Sequence, residues 1–243
     1  MYTTSFSVMF SAVRLLFKSR RVLLMLLLAW GGLLTALYLF ASTREATIFQ
    51  LLLTLVVVIA APALFFVLQV MSVTYASGSV SGGRIRKTAS DCLKLILVSL
   101  PVLVIMLLAI YGLNKVQTYL TLATTLRYLL IGVVAPMLAI QLWIATTSGG
   151  LRDLRKGLRG VLSKTFAPQS VFVYACGFLI FAVVPYVLLQ AGTSTERPWL
   201  ELSVLVVRLA ASAILILLGW VTTVGAISIL NRTERGSAGS DCC

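Results

Sequence analysis

The sequence predicts an all-α fold: a polytopic bundle of six transmembrane helices with both termini cytoplasmic and short amphipathic helices at the membrane interface. The first observation is composition, because 60% of the 243 residues are hydrophobic and 11% are charged, whereas soluble proteins average roughly 45–50% and about 25%. The second is a mean hydropathy of +1.03. The third is run length. Each apolar run reaches the roughly 20 residues that cross a bilayer as a helix, whereas a membrane β-barrel shows alternating segments of about 10 residues.

Six apolar runs support this prediction in chain order. They cover residues 22–41, 48–76, 91–113, 126–147, 170–191 and 202–230. The second and sixth runs are longer than a bilayer requires, so we expect tilt or extension beyond the membrane. The segment 1–21 predicts an amphipathic N-terminal helix, and the segment 231–243 predicts a flexible tail. Because so little of the chain lies outside the runs, residues 1–243 are expected to form a single integral membrane domain.

The distribution of basic residues predicts the orientation. The N-terminal segment, the second and fourth loops and the C-terminal segment together hold 15 of the 20 Lys and Arg residues. Lys and Arg near the ends of spans are retained on the cytoplasmic side of a membrane. We therefore expect both termini in the cytoplasm and an integral protein of the bacterial cytoplasmic (inner) membrane.

The same residues predict what the cytoplasmic side contacts. The net charge of +13 lies at the ends of apolar runs rather than in a basic stripe with interleaved aromatic residues, which argues against nucleic acid as a partner. Anionic lipid headgroups are the expected counter-charge, and other membrane protein subunits or a homo-oligomer are the expected protein partners. The candidate headgroup or partner contacts are Arg84, Arg86, Lys87, Arg152, Arg155, Lys156, Arg159 and Lys164.

A short phrase occurs twice in the predicted cytoplasmic loops, as SGGRIRK in 81–87 and as SGGLRDLRK in 148–156. Each copy follows a span that contains an Ala-Pro step, at Pro62 and at Pro136. One interpretation is duplication of a helical hairpin, as in transporter halves. The other is independent recurrence of Gly-Gly helix ends followed by retained basic residues. Both interpretations predict a turn joined to an electrostatic anchor.

Two cytoplasmic segments predict surface helices with one apolar face each. In the N-terminal segment Arg14 and Lys18 oppose that face, and in the fourth loop basic residues oppose it likewise. Either helix can lie among lipid headgroups or on a partner protein, because periodicity does not separate the two. The two apolar faces comprise Phe6, Met9, Phe10, Val13 and Phe17, and Leu151, Leu154, Leu158, Val161, Leu162 and Phe166.

Polar residues within the runs define a candidate intramembrane polar site formed by Arg208, Gln69 and Gln141. Arg208 lies seven residues beyond Glu201 in the sixth run, about 10 Å along a helix, and a charge at that depth needs an acceptor. It either extends outward to the membrane surface or pairs in the interior with Gln69 or Gln141.

Asp91 is expected to have a structural role. Thr88 and Asp91 have the T-x-x-D spacing of a helix start, and Lys94 follows Asp91 by three residues. Side chains at this spacing on a helix can form an ion pair.

The residue inventory argues against an enzyme. Histidine is absent, so the most frequent general base and a common metal ligand are missing. The four cysteines have no metal-binding spacing, and no G-x-S-x-G motif occurs, so nucleophilic and metal-assisted reactions lack their usual residues. We expect no catalytic residues, no cofactor and no metal.

Two function classes remain. The preferred hypothesis is a non-catalytic subunit or scaffold of a membrane complex. The alternative follows from a resemblance: an amphipathic N-terminal helix leads through Lys18-Ser19-Arg20-Arg21 into six spans, and in this layout the chain resembles an ABC-2-type export permease. The resemblance implies an elbow helix, a dimeric pore and a separate ATPase partner. The chain departs from that family in its long fourth loop and in a second loop without the acidic, Gly-Thr and Pro pattern.

Overall fold

The computed structural model describes residues 2–43, 47–76, 85–115, 120–156, 158–191 and 198–240. Within these ranges the chain is helical apart from short connections, and the described residues form no β-strand. The all-α prediction is therefore confirmed.

Ten α-helices and two π-helical turns follow one another along the described chain. The first π turn, Leu130–Val134, joins α5 to α6, and the second, Leu179–Val183, joins α8 to α9. The helices are α1 (Tyr2–Lys18), α2 (Arg20–Ser42), α3 (Ile48–Tyr75), α4 (Ile85–Lys115), α5 (Leu120–Leu129), α6 (Ala135–Lys156), α7 (Leu158–Thr165), α8 (Pro168–Phe178), α9 (Val184–Gln190) and α10 (Pro198–Ser240).

Within the described residues, six helical stretches are long and apolar enough to cross a membrane, as the six runs predicted. The fourth stretch combines α5, the first π turn and the start of α6, and the fifth combines α8, the second π turn and α9. Hydropathy located these stretches because burial in lipid requires a continuous apolar length. The six spans are Arg20–Ser42, Ile48–Tyr75, Thr88–Lys115, Thr121–Ser148, Pro168–Gln190 and Trp199–Thr233.

The start of α3 shows how a span begins in this chain. Thr47 is the N-cap, and its hydroxyl oxygen accepts a hydrogen bond from the backbone N–H of Gln50. The Gln50 side chain in turn accepts from the Thr47 N–H at 3.0 Å. This reciprocal capping box satisfies two backbone donors that the first helical turn leaves without partners.

The start of α4 differs from the prediction. The helix already includes Ile85, so Thr88 and Asp91 lie within it rather than at its start. The predicted ion pair is confirmed, because Lys94 Nζ lies 2.9 Å from Asp91 Oδ1. Asp91 is mostly buried and Lys94 is partly exposed, so the pair gives a carboxylate at the edge of the apolar core a cationic partner.

Two predicted interruptions are continuous helix in the structure. The second copy of the repeated phrase, predicted as a turn, lies inside α6, which continues to Lys156. The tail predicted from residue 231 is helical as far as Ser240. Gly-Gly and polar residues do not end these helices because the backbone can continue its own hydrogen bonds wherever no proline intervenes. In the first copy, residues 81–84 lie outside the described part.

The chain separates into two compact units. The terminal unit is formed by Met1–Leu27 with Pro168–Cys243, and the central unit by Leu28–Ala167. In the terminal unit α10 contacts α1, α8, the second π turn and α9. In the central unit α3, α4 and α6 contact one another, and α5 contacts α4. That residues 1–243 form one integral membrane domain stays a prediction.

Burial is concentrated toward one end of several spans. In α4 the buried residues are Asp91, Leu95 and Val98, and none is buried from Ser99 to Lys115. In the fourth span none is buried from Thr121 to Pro136, whereas six residues between 137 and 146 are. We call the end of each span next to the basic segments its basic end. In both spans the close packing lies toward that end.

Candidate functional site

The predicted basic contacts fall mostly on helices of the central unit. Arg84 lies outside the described residues. Arg86 and Lys87 belong to α4, and Arg152, Arg155 and Lys156 belong to α6, but their side chains lie outside the described part. On α7, Arg159 is exposed and Lys164 is partly exposed. Their contact with lipid or with a partner stays a prediction.

Of the apolar stripe predicted for the fourth loop, the structure describes the side chains of Val161, Leu162 and Phe166, whereas those of Leu151, Leu154 and Leu158 lie outside the described part. Leu162 and Phe166 are exposed and Val161 is half-buried. The buried residue is Thr165, whose hydroxyl donates to the Val161 carbonyl at 2.8 Å. The exposed part of the stripe therefore remains available to lipid or to another protein.

Helix α1 has two apolar stripes where one was predicted. Ser5, Ala12 and Leu16 are buried, and α1 contacts α8 and α10. Phe6 and Phe10 remain largely exposed, although the Phe6 ring also meets Phe172 edge-on at 5.5 Å. At about 100° per residue, the phenylalanine stripe lies roughly 120° from the buried stripe. The helix thus has one face that packs in the terminal unit and another that is exposed.

Arg208 has an acceptor within the terminal unit. Its guanidinium donates to the backbone carbonyl of Ala191, the residue that follows α9. Carbonyls at the C-terminal end of a helix carry partial negative charge and lack intrahelical donors, so a cation there is favourable. The bond joins the fifth and sixth spans at the end opposite their basic ends. A pairing of Arg208 with Gln69 or Gln141 stays a prediction.

Gln69 and Gln141 are deeply buried in the central unit, with exposures of 1% and 3%. They lie on α3 and α6, which contact each other. The Trp143 indole N–H on α6 donates to Ser99 Oγ on α4 at 2.9 Å, and Phe65 of α3 meets the Trp143 ring edge-on at 6.1 Å. Buried polar residues in an apolar span are costly unless they have partners. Gln69, Gln141 and the Trp143–Ser99 hydrogen bond therefore mark the interior face of α3, α4 and α6.

A close helix–helix seam lies in the terminal unit. A Cβ on Gly177 would lie 1.9 Å from Thr223 Oγ1, and a Cβ on Gly219 would lie 2.9 Å from Phe181 Cβ. The absent side chains let α8 and the second π turn approach α10 closely. Gly219 was a visible signal as a small residue in a span, but its partner could not be read from one sequence. An aromatic row follows the seam: Tyr174, Phe178, Phe181 and Trp220.

Comparison with known proteins assigns the chain to no family. No protein-family model, curated protein or solved structure matches the chain. Six apolar helices are compatible with a multi-pass membrane protein. Among the described residues, no three His, Cys, Asp or Glu side chains are grouped as a metal ion would require.

Proposed function

We propose that the protein is a non-catalytic subunit or scaffold of a complex in the bacterial cytoplasmic membrane. It binds anionic lipid headgroups through its basic segments, and it binds other membrane protein subunits, or a second copy of itself, through its spans. Both termini lie in the cytoplasm.

The observation that carries this proposal is the outer surface of α4. From Leu100 to Tyr111 its large apolar side chains are exposed over an arc of roughly 200° of the helix circumference at about 100° per residue. The residues on the remaining arc are only half-buried. A span so little covered by its own chain offers a broad face to a neighbouring helix, and the exposed side chains are Leu100, Leu103, Val104, Ile105, Leu107, Leu108 and Tyr111.

Pro101 supports a protein neighbour over lipid alone. It is exposed within the same arc of α4, and it has no N–H to donate to the carbonyl of Leu97, four residues earlier. Hydrocarbon supplies no donor to such a carbonyl, whereas neighbouring helices can. A partner helix on this face therefore gains a polar contact as well as packing.

The charge pattern supports the orientation and the lipid contacts. The 15 basic residues of the N-terminal segment, the second and fourth loops and the C-terminal segment favour retention in the cytoplasm. Each Lys or Arg near an anionic leaflet contributes about 1 kcal/mol to membrane attraction. The absence of histidine from the sequence supports a role without catalysis.

One observation favours the alternative, an export permease subunit that works with a separate ATPase. The helix breaks at Ser19, so α1 ends at Lys18 and α2 begins at Arg20. The resemblance to ABC-2-type permeases implies an elbow helix at this position. Because α1 also contacts α8 and α10, it is held by the bundle, as an elbow that transmits motion requires.

Photo-crosslinking in native membranes tests the proposal. Benzoylphenylalanine replaces Ile105 or Leu108, which are exposed on α4, and for the control it replaces Met106, which is half-buried on the opposite arc. We expect discrete protein adducts from the first two positions and none from Met106, followed by identification by mass spectrometry.

The identity of the adduct separates the hypotheses. Another membrane protein, or a species of twice the chain mass, supports the scaffold or subunit. An ATPase that copurifies with the chain in amounts near one to one favours the permease. Only lipid adducts at both Ile105 and Leu108 would show that this face has no protein partner and would contradict the proposal.

A further inference from the structure

A twelve-residue pattern occurs twice in the spans and coincides with the two π turns. It runs from Leu130 to Gln141 as LIGVVAPMLAIQ and from Leu179 to Gln190 as LIFAVVPYVLLQ. Leu, Ile, Val, Pro and Gln occupy the same places in both copies. In each copy the first five residues form the π turn, and the proline is the second residue after it. The same local sequence thus produces the same local backbone.

Proline explains the π turn. Its ring clashes with the carbonyl four residues earlier, and it has no N–H to offer that carbonyl. In the first copy the Ala135 N–H bonds to the Leu130 carbonyl, and in the second the Val184 N–H bonds to the Leu179 carbonyl. Both bonds span five residues, so the helix is widened just before each proline. π turns of this kind mark points where a helix is bent or can bend.

The second π turn is held in place by α10. The missing Cβ of Gly219 leaves room for Ile180 and Phe181, whose atoms lie within 3.1 Å of where that Cβ would be. The Phe181 ring meets Trp220 edge-on at 5.4 Å and Phe178 at 5.6 Å. A bend at this turn would break those contacts, so close packing fixes its geometry.

The first π turn has no comparable packing. No residue of either turn is buried, but the second turn contacts α10, whereas the contacts of similar extent that the first makes are with α5 and α6, its neighbours along the chain. Gly132 stands where the second copy has Phe181. No residue of α5 from Thr121 to Leu129 is buried either. Immediately after the turn, Met137, Ile140 and the residues that follow are buried against the central unit. The turn therefore separates the part of the fourth span that is buried, in α6, from the part that is not, in α5.

We propose that the first π turn, Leu130–Val134, is a hinge about which α5 swings relative to the anchored α6, and that the second π turn is a fixed counterpart of the same design. Because α5 contacts α4, the swing changes the separation of these two helices at the end opposite their basic ends. It makes α5 a lid over one side of α4. By covering or uncovering the proposed docking face of α4, the lid regulates partner binding, and this role rests on the proposed function. The bending itself requires no partner.

Pulsed electron paramagnetic resonance on the full chain in lipid nanodiscs tests the hinge. In a background without native cysteines, Tyr111→Cys and Leu122→Cys place spin labels on exposed positions of α4 and α5. The matched pair Leu189→Cys and Val206→Cys, also exposed, places labels on α9 and α10 after the second π turn. We expect the first distance distribution to be at least about twice as broad as the second, because a helix bends at such a turn when packing does not hold it.

A proline variant assigns the motion to the turn. Pro136→Ala restores an N–H and removes the ring clash, so we expect the α4–α5 distribution to narrow. Pro101→Ala, in the middle of α4, serves as the control and should leave the width unchanged. Equal widths for the two label pairs in the wild-type chain, or narrowing by Pro101→Ala and not by Pro136→Ala, would overturn the hinge. Neither result depends on whether α4 binds a partner.

Discussion

At the scale of single residues, two glycines determine how closely the helices of the terminal unit approach. Gly177 faces the side chain of Thr223, which is fully buried and whose hydroxyl donates to the Gly219 carbonyl at 2.6 Å. Thr223 is β-branched and held by that bond, so it cannot turn aside without losing the bond. In lipid no hydrophobic effect drives helices together, and close packing of this kind supplies much of their association.

Gly177→Ala is therefore expected to destabilise the protein. The added methyl overlaps Thr223, and overpacking of a close-packed core costs about 1–3 kcal/mol. Gly112→Ala is the matched control, because Gly112 lies in α4 with no atom within 4 Å of an added Cβ, and alanine favours a helix over glycine. Thermal unfolding in detergent, followed by circular dichroism, should show a lower midpoint for Gly177→Ala and an unchanged or higher one for Gly112→Ala.

A double variant checks the cause. Thr223→Ala removes the hydroxyl and the methyl that the side chain added by Gly177→Ala would meet, so the combined variant should lose less stability than the sum of the two single variants. Additive losses, or equal midpoints for Gly177→Ala and Gly112→Ala, would show that the seam does not depend on the absent side chain.

At the scale of helices, the sequence predicts the spans more reliably than their ends. Hydropathy found all six spans because twenty apolar residues in lipid have few alternatives to a helix. It did not find where α6 and α10 stop, since Gly-Gly at residues 149–150 and the polar segment after Leu230 look like breaks but lie in continuous helix. The π turns were missed because a proline alone does not reveal whether a span kinks, widens or ends.

For the candidate site, too, the sequence predicts some features and not others. Burial of Gln69 and Gln141 follows from their place in apolar spans, which one sequence displays. The acceptor of Arg208 does not, because Ala191 lies 17 residues away and its carbonyl has no signature in the sequence. Contacts between helices depend on rotation and register, and these require coordinates.

Helix α1 carries a prediction of its own. Its phenylalanine stripe is exposed while a second stripe packs on α8 and α10, so we expect α1 to lie at the membrane surface with the phenylalanines in lipid. Spin labels at Phe10→Cys and at the adjacent, exposed Ser11→Cys measure this in anionic nanodiscs. The Phe10 label should collide preferentially with oxygen, which concentrates in lipid, and the Ser11 label with a water-soluble nickel complex. Similar collision ratios at both positions would place α1 away from the interface.

At the scale of the whole molecule, most buried polar side chains of the described spans lie toward the basic ends in both units, with Ser212 in the other half of α10 as an exception. The central unit buries Gln69 and Gln141 after the proline of their spans, and Asp91 before Pro101. The terminal unit buries polar residues near the basic end of α10. Each unit is thus closely packed toward its basic end. The opposite ends are largely uncovered by the chain, so lipid or partner helices must complete them.

The orientation of the chain is the last prediction, and it depends on charge alone. Moving Lys or Arg across a bilayer core costs roughly 2.5–3.5 kcal/mol per residue, so the segments with 15 of the 20 basic residues should remain together in the cytoplasm. In a background without native cysteines, a membrane-impermeant maleimide should label Thr47→Cys in intact cells. It should label Ser19→Cys and Ser163→Cys only after the membrane is permeabilised. Thr47 and Ser163 are exposed and Ser19 is partly exposed.

Labels at Ser19 and Ser163 on one side require an even number of crossings between them, which four spans provide. Labelling of Ser163→Cys in intact cells would remove a span from the fold or reverse the orientation, and with it the assignment of the basic segments to cytoplasmic lipid.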